Sequence, residues 1–143
     1  SVEDVLAADD WAHWPLLRQR IGDKVLVLGD DFLCTNPMRI RRAIDATAAT
    51  ALLLKVNQIG TLSEAAEAYQ LARNAGWMVT ISARSGETED SWLADLAVGW
   101  RGDQLKVGSI TQSERLAKYN RLLAIEAETG WPMVKWPAAG EAA

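Results

Sequence analysis

The sequence predicts an α/β fold in which about five parallel strands alternate with helices. Three observations predict it. Short apolar runs recur and each delivers charged or polar residues at its end; stretches with helix-start signals lie between them; and Val25-Leu26-Val27-Leu28 is a continuous apolar run of the kind covered on both faces. The order strand then helix repeats five times, which implies a parallel sheet with right-handed crossovers. Periodicity leaves open whether that sheet is a small doubly wound one or part of an eight-stranded barrel.

Taken in order, Val2 to Leu6 is a short strand carrying Glu3 and Asp4, and an acidic turn through Asp9 and Asp10 leads into a helix expected from Trp11 to about Arg20. Gly22 and Asp23 break that helix. Lys24 to Gly29 is the second strand and runs into Asp30-Asp31; Asn36-Pro37 then supplies a cap and an N1 proline for a helix to about Ala48. The third strand starts at Ala51. Thr61-Leu62-Ser63-Glu64 is a capping box for a helix through Ala75, stopped by Gly76. Trp77 to Ser82 is the fourth strand, followed by the polar loop Ala83 to Asp90 and a short helix around Trp92 to Val98. Leu105 to Gly108, with Lys106, is the fifth. Thr111-Gln112-Ser113-Glu114 reads as a second capping box, for a helix to about Glu128. Residues 1–130 form the α/β segment, and 131–143, with two prolines and several alanines, form an irregular tail.

The stretch from Ala51 to Gly60 organises the rest. Strand alternation puts Ala51, Leu53 and Lys55 on one face and Leu52, Leu54 and Val56 on the other, with polar residues following. Lys55 is therefore a charged side chain at the carboxyl end of a buried strand, the position where the loops of parallel α/β folds gather reactive groups. The competing reading is a lysine that merely holds its ammonium in water. The other strand ends repeat the habit: Glu3 and Asp4, Asp30 and Asp31, Arg84 with Ser85, and Lys106. Parallel strands would bring these to one mouth, where carboxylates suit a hard divalent cation, an arginine and serine suit a phosphate, and lysines suit proton abstraction and charge neutralisation.

Composition narrows the classes. With 143 residues, 49% of them hydrophobic, the chain can build one core. No apolar run approaches spanning length and no secretory signal is visible, so a cytoplasmic location without membrane contact is expected. The net charge of −4 and the absence of a basic stripe argue against nucleic acid, and Arg39, Arg41 and Arg42 read as a solvated helix face. A lone Cys34 and a lone His13 exclude an internal disulfide and a histidine-rich metal site, so any metal would be held by oxygen and would be magnesium or manganese. Among the seven tryptophans, Trp11, Trp14, Trp77 and Trp92 fall where helices meet strands and read as packing groups.

Leu53-Leu54-Lys55-Val56-Asn57-Gln58-Ile59-Gly60, Ser85-Gly86-Glu87-Thr88-Glu89-Asp90 and Ser113-Glu114-Arg115-Leu116-Ala117-Lys118-Tyr119-Asn120 resemble the later part of the C-terminal barrel domain of enolase, and the resemblance runs from Val2 to about Glu128. It implies a partial (β/α) TIM-type barrel and the magnesium-dependent dehydration of 2-phosphoglycerate to phosphoenolpyruvate, a step of glycolysis. It further implies that Lys55 is the base that removes the proton alpha to the carboxylate, that Glu3 and Asp30 are metal ligands, that Arg84 and Ser85 contact the phosphate, and that Lys106 neutralises the substrate carboxylate.

Five residues in four places depart from the family pattern. Ala83 stands where a histidine precedes the arginine-serine pair, Glu3-Asp4-Val5 where glutamate-aspartate-proline is usual, Gly108-Ser109-Ile110 where glycine-alanine-proline is usual, and Ala124 where an arginine serves the dimer contact. The family's N-terminal domain, first barrel strands, one further aspartate ligand and the glutamates that help expel hydroxide precede Ser1 in the family order. A chain that opens on Ser1 within a strand is accordingly expected to be a piece of a longer protein, a split subunit or a product of processing. It is expected to be inactive alone, and to self-associate or take up the missing N-terminal half. The alternative is an enolase-like module that keeps the fold for interaction or regulation and has lost the chemistry.

Overall fold

A computed structural model describes residues 1–134. It divides into two compact units, Ser1–Val79 and a second that begins at Thr80, and each is described by itself. The elements follow the predicted alternation, with strands β1 (Val2–Glu3), β2 (Val27–Gly29), β3 (Ala51–Leu54), β4 (Met78–Ser82) and β5 (Gln104–Lys106). Helices α1 (Trp14–Ile21), α2 (Pro37–Asp45), a four-residue α3 (Val56–Ile59), α4 (Leu62–Asn74), α5 (Trp92–Gly99) and α6 (Ser113–Thr129) lie between and after them. β4 starts in the first unit and ends in the second.

In the first unit β1, β2 and β3 pair in parallel, Val2 opposite Val27, Glu3 opposite Leu28, Leu28 opposite Ala51 and Gly29 opposite Leu52. β3 is buried at every position, as a strand covered on both faces must be. Ala51 and Leu53 share a cluster with Leu28, flanked by Leu26 and Met78, so the alternation read from the sequence holds. The alanines of α4 at 65, 68 and 72 are fully buried at helical spacing, and their small side chains let the helix lie close to its neighbours. On the N-terminal side of the unit, the Trp14 ring stacks on Phe32 at 4.1 Å, and its indole N–H donates to the Ala7 carbonyl.

Local chemistry explains where the helices start. Asn36 caps α2, its side-chain oxygen accepting from the backbone N–H groups of Met38 and Arg39, with Pro37 in the first turn where a missing N–H costs nothing. Thr61 caps α4 by accepting from the Glu64 N–H, while the Glu64 carboxylate returns to the Thr61 hydroxyl at 2.6 Å. Two expectations fail. α1 starts at Trp14 rather than Trp11, because Pro15 is tolerated only in a first turn. The box at Thr111 does not form: Gln112, one residue later, precedes the first turn of α6 without a side-chain capping bond, and the Thr111 hydroxyl lies 2.7 Å from that of Ser109.

Of the arginines of α2, Arg41 and Arg42 are exposed as a solvated face requires, and only Arg39 departs from it. Arg39 is half-buried and donates to the Phe32 and Ala8 carbonyls, and Arg42 stacks 3.9 Å over the Trp11 ring, while Arg41 pairs with Glu67. Arg39 and Arg42 bind the N-terminal turn to α2, and Arg41 ties α2 to α4.

In the second unit β4 and β5 pair in parallel, Thr80 opposite Gln104, Ile81 opposite Leu105 and Ser82 opposite Lys106. α5 and α6 pack together. α6 ends at Gly130 in the left-handed conformation, and Trp131 to Val134 are irregular. The remainder of the predicted tail, from 135 on, lies outside the described residues. Among the described residues, no helix is long and apolar enough to cross a membrane.

Candidate active site

In the first unit the predicted groups at the ends of β2 and β3 meet. β3 ends at Leu54, and Lys55 continues in extended backbone as the cap of α3. Its ammonium lies 2.5 Å from Asp30 Oδ2, with only 10% and 11% of the two side chains exposed. The second oxygen, Asp30 Oδ1, accepts from the Gln58 amide at 2.9 Å. Gln58 is in turn held by Thr35, whose hydroxyl donates to its Oε1 at 2.8 Å and accepts from the Lys55 backbone N–H at 2.9 Å. One carboxylate is thus bracketed by an ammonium and an amide, and one buried hydroxyl fixes both.

The loop that makes this possible is sterically tight. A Cβ at Gly29 would lie 2.6 Å from the Leu33 Cγ, so only glycine lets the chain fold back over the end of β2. The Asp30 carbonyl then accepts from the Leu33 and Cys34 N–H groups. Cys34 and Thr35 follow at φ of 50° and 51°, a left-handed pair that is unfavourable for a β-branched residue and costs on the order of 1–3 kcal/mol each. The hydrogen bonds of the Thr35 hydroxyl and the complete burial of its side chain hold it there.

Asp4 also has a positive φ, 44°, and turns its carboxylate to the backbone N–H groups of Asp30 and Asp31 at 2.8 and 2.7 Å. Burial holds its carboxyl above the ordinary aspartate value, although those N–H groups pull the other way. Ligand oxygens of Asp4, Asp30 and Asp31 lie within 4.8 Å of one another. Glu3, the other carboxylate marked in the sequence, is exposed on β1 opposite Leu28. A set of carboxylate oxygens without sulfur or imidazole fits magnesium by donor chemistry. Asp30 is the member of that set that also reaches the predicted base.

The second unit holds the other predicted residues. Lys106 ends β5 beside Ser82, and its carbonyl accepts the Ala83 N–H at 2.9 Å, so the exits of β4 and β5 are adjacent. Ala83 is buried; Arg84, Ser85 and Lys106 are exposed. The Arg84 backbone is fixed at both ends, its N–H donating to the Glu87 carboxylate and its carbonyl accepting from Arg115, which also reaches the Val107 carbonyl.

Several participants carried no mark in the sequence beyond their motifs. Gln58 is three residues after Lys55, the spacing of one helical turn, which is the one signal that it shares a site with the lysine. Thr35 is legible only as the residue before a cap; Asp4 is marked with Glu3 as a strand-end carboxylate, but not as the partner of the Asp30 and Asp31 backbone. The sequence matches the family described as enolase, C-terminal TIM barrel domain, over residues 1–137. That match decides between the two sheets that periodicity allowed: the strand and helix alternation is that of a partial barrel.

Proposed function

The chain belongs to the enolase C-terminal barrel family, and from that premise we propose that it supplies the proton-abstracting and phosphate-binding side of an enolase-type site, one that dehydrates 2-phosphoglycerate to phosphoenolpyruvate. The observation that carries this reading is the buried contact of Lys55 with Asp30 at a strand end. Lys55 takes the proton alpha to the substrate carboxylate, and Asp30, itself held by Gln58, aims it. Lys106 faces the developing negative charge on that carboxylate, and Arg84 with Ser85 holds the phosphate. Asp30 and Glu3 would hold magnesium, with Asp4 and Asp31 beside Asp30, and the ion would supply positive charge to the carboxylate end of the substrate. The role is glycolytic and cytoplasmic in this reading.

The 143 residues alone give no turnover in this reading, because further groups of the family site are not among them; the family's N-terminal part completes it. The test is phosphoenolpyruvate formation, followed by ultraviolet absorbance, with the chain alone and with an enolase N-terminal part added. Turnover is expected only in the mixture, and Lys55→Ala should lower it by roughly 10²–10⁴-fold. A complemented, folded chain that makes no phosphoenolpyruvate would sink the enzyme reading. It would favour a non-catalytic module, which the buried Ala83 in place of the family's imidazole supports.

A further inference from the structure

Lys118 is the most deeply buried charged residue in the described chain, with 1% of its surface exposed, and the reaction proposed above makes no use of it. It sits on α6, within the second unit, and its ammonium is fully engaged. Nζ donates to the Thr88 carbonyl at 2.5 Å and the Glu114 carbonyl at 2.9 Å, and lies 3.1 Å from the Glu87 carboxylate. An ammonium has three N–H donors, and here each has an oxygen. Two of those oxygens belong to the loop after β4, and Glu87 carries the contact onward: its Oε1 accepts the backbone N–H of Arg84 at 3.1 Å.

A charge this buried is costly unless paired, and here the pairing is made largely with the loop, so the two hold each other in place. The Arg84–Asp90 stretch contains no regular secondary structure and is mostly exposed; Arg115 holds it at the Arg84 carbonyl, and Lys118 holds it at Glu87 and Thr88. We infer that Lys118 is a positioning residue for the anion site: it clamps Glu87 and Thr88 and thereby presents Arg84 and Ser85 in a fixed geometry to a phosphate monoester. The inference rests on the reading of Arg84 and Ser85 as phosphate contacts. Lys118 itself stays behind the loop and does not touch the anion. Its compact ammonium suits the three-oxygen cage, which a planar guanidinium would overfill.

The test uses the 143-residue chain, with inorganic phosphate as the probe. Lys118→Met should speed amide hydrogen exchange in residues 84–90 by about tenfold or more while leaving β4 and α5 within about twofold, because only the loop loses its anchor. Phosphate affinity should fall by about tenfold. The dependence of that affinity on ionic strength should not change, since the charges that meet the anion remain, whereas Arg84→Gln should flatten it. Unchanged exchange in the loop would overturn the inference. So would a loss of affinity accompanied by a flattened salt dependence, which would make Lys118 a direct source of charge. Should Lys118→Met fail to fold, Glu87→Gln, which keeps an acceptor for Arg84 but removes the counter-charge, should loosen the same loop, and no loosening would overturn the clamp. A wild-type chain that binds no phosphate would instead remove the phosphate reading of Arg84 and Ser85, and the exchange rates would still decide whether Lys118 holds the loop.

Discussion

The end of β3 and the end of β4 present reactive groups in opposite ways. At Lys55 the side chains proposed to carry the chemistry are themselves buried or half-buried and paired, ammonium to carboxylate to amide to hydroxyl. At Arg84 and Ser85 those side chains are exposed, and the loop backbone is held from behind by the cations of Arg115 and Lys118. The difference suits the proposed tasks. A base must be aimed to within a fraction of an ångström and is fixed by direct contacts; a phosphate site must stay open to an arriving anion, so its order comes from groups that never face the ligand.

If that contrast is right, the first region should be fragile to single changes. The largest effect is expected for Lys55→Met, which leaves Asp30 buried beside two other aspartates without its counterion: about 3–5 kcal/mol in urea unfolding. A loss below about 1 kcal/mol would mean that the pair behaves like a solvated one. Next, Thr35→Val keeps the shape and the left-handed backbone but removes the hydroxyl that serves Lys55 and Gln58. It should cost about 1–3 kcal/mol, and Thr35→Ser, which keeps the hydroxyl, much less. Equal losses for the two would show that the methyl group matters rather than the hydrogen bonds.

Gly29→Ala comes third, since its Cβ would collide with the fully buried Leu33; about 1–3 kcal/mol is expected, with loosened exchange confined to residues around 30–35. The smallest effect belongs to the second unit, at the exposed pair of Asp95 and Arg121. The guanidinium holds the Asp95 carboxyl below its ordinary value of 3.8, so the pair's contribution is present above that value and is lost as pH falls through the depressed one. Thermal melts of wild type and Asp95→Asn should therefore differ slightly near neutral pH, converge below the ordinary aspartate range, and differ less in high salt. A difference that widens on acidification would contradict the assignment.

Much of the fold was legible because its signals are local. Asn36-Pro37 and Thr61 to Glu64 act through contacts within one turn, and the alternation of Ala51, Leu53 and Lys55 follows from strand geometry alone. The same locality explains the failures: Thr111 carries the pattern of a cap, but a neighbouring hydroxyl competes for its own, and Trp11 belongs to an apolar pattern that Pro15 interrupts. Of the candidate site, Lys55 and Asp30 were readable as charged strand ends, and the structure joins them. Asp4 was noted only beside Glu3, yet its left-handed backbone turns its carboxylate to Asp30 and Asp31.

By itself, then, the amino-acid order determined the class of the fold, the alternation of its elements, the family and the charged character of its strand ends, since each follows from covalent sequence and near neighbours. Only the tertiary structure decided which charges are buried and with whom. The oxygen that accepts from Lys55 belongs to a residue twenty-five positions away and the loop carbonyl on Lys118 to one thirty away. Whether such a group is a solvated rim or a desolvated anchor depends on how much water the packing leaves around it, which no local pattern encodes.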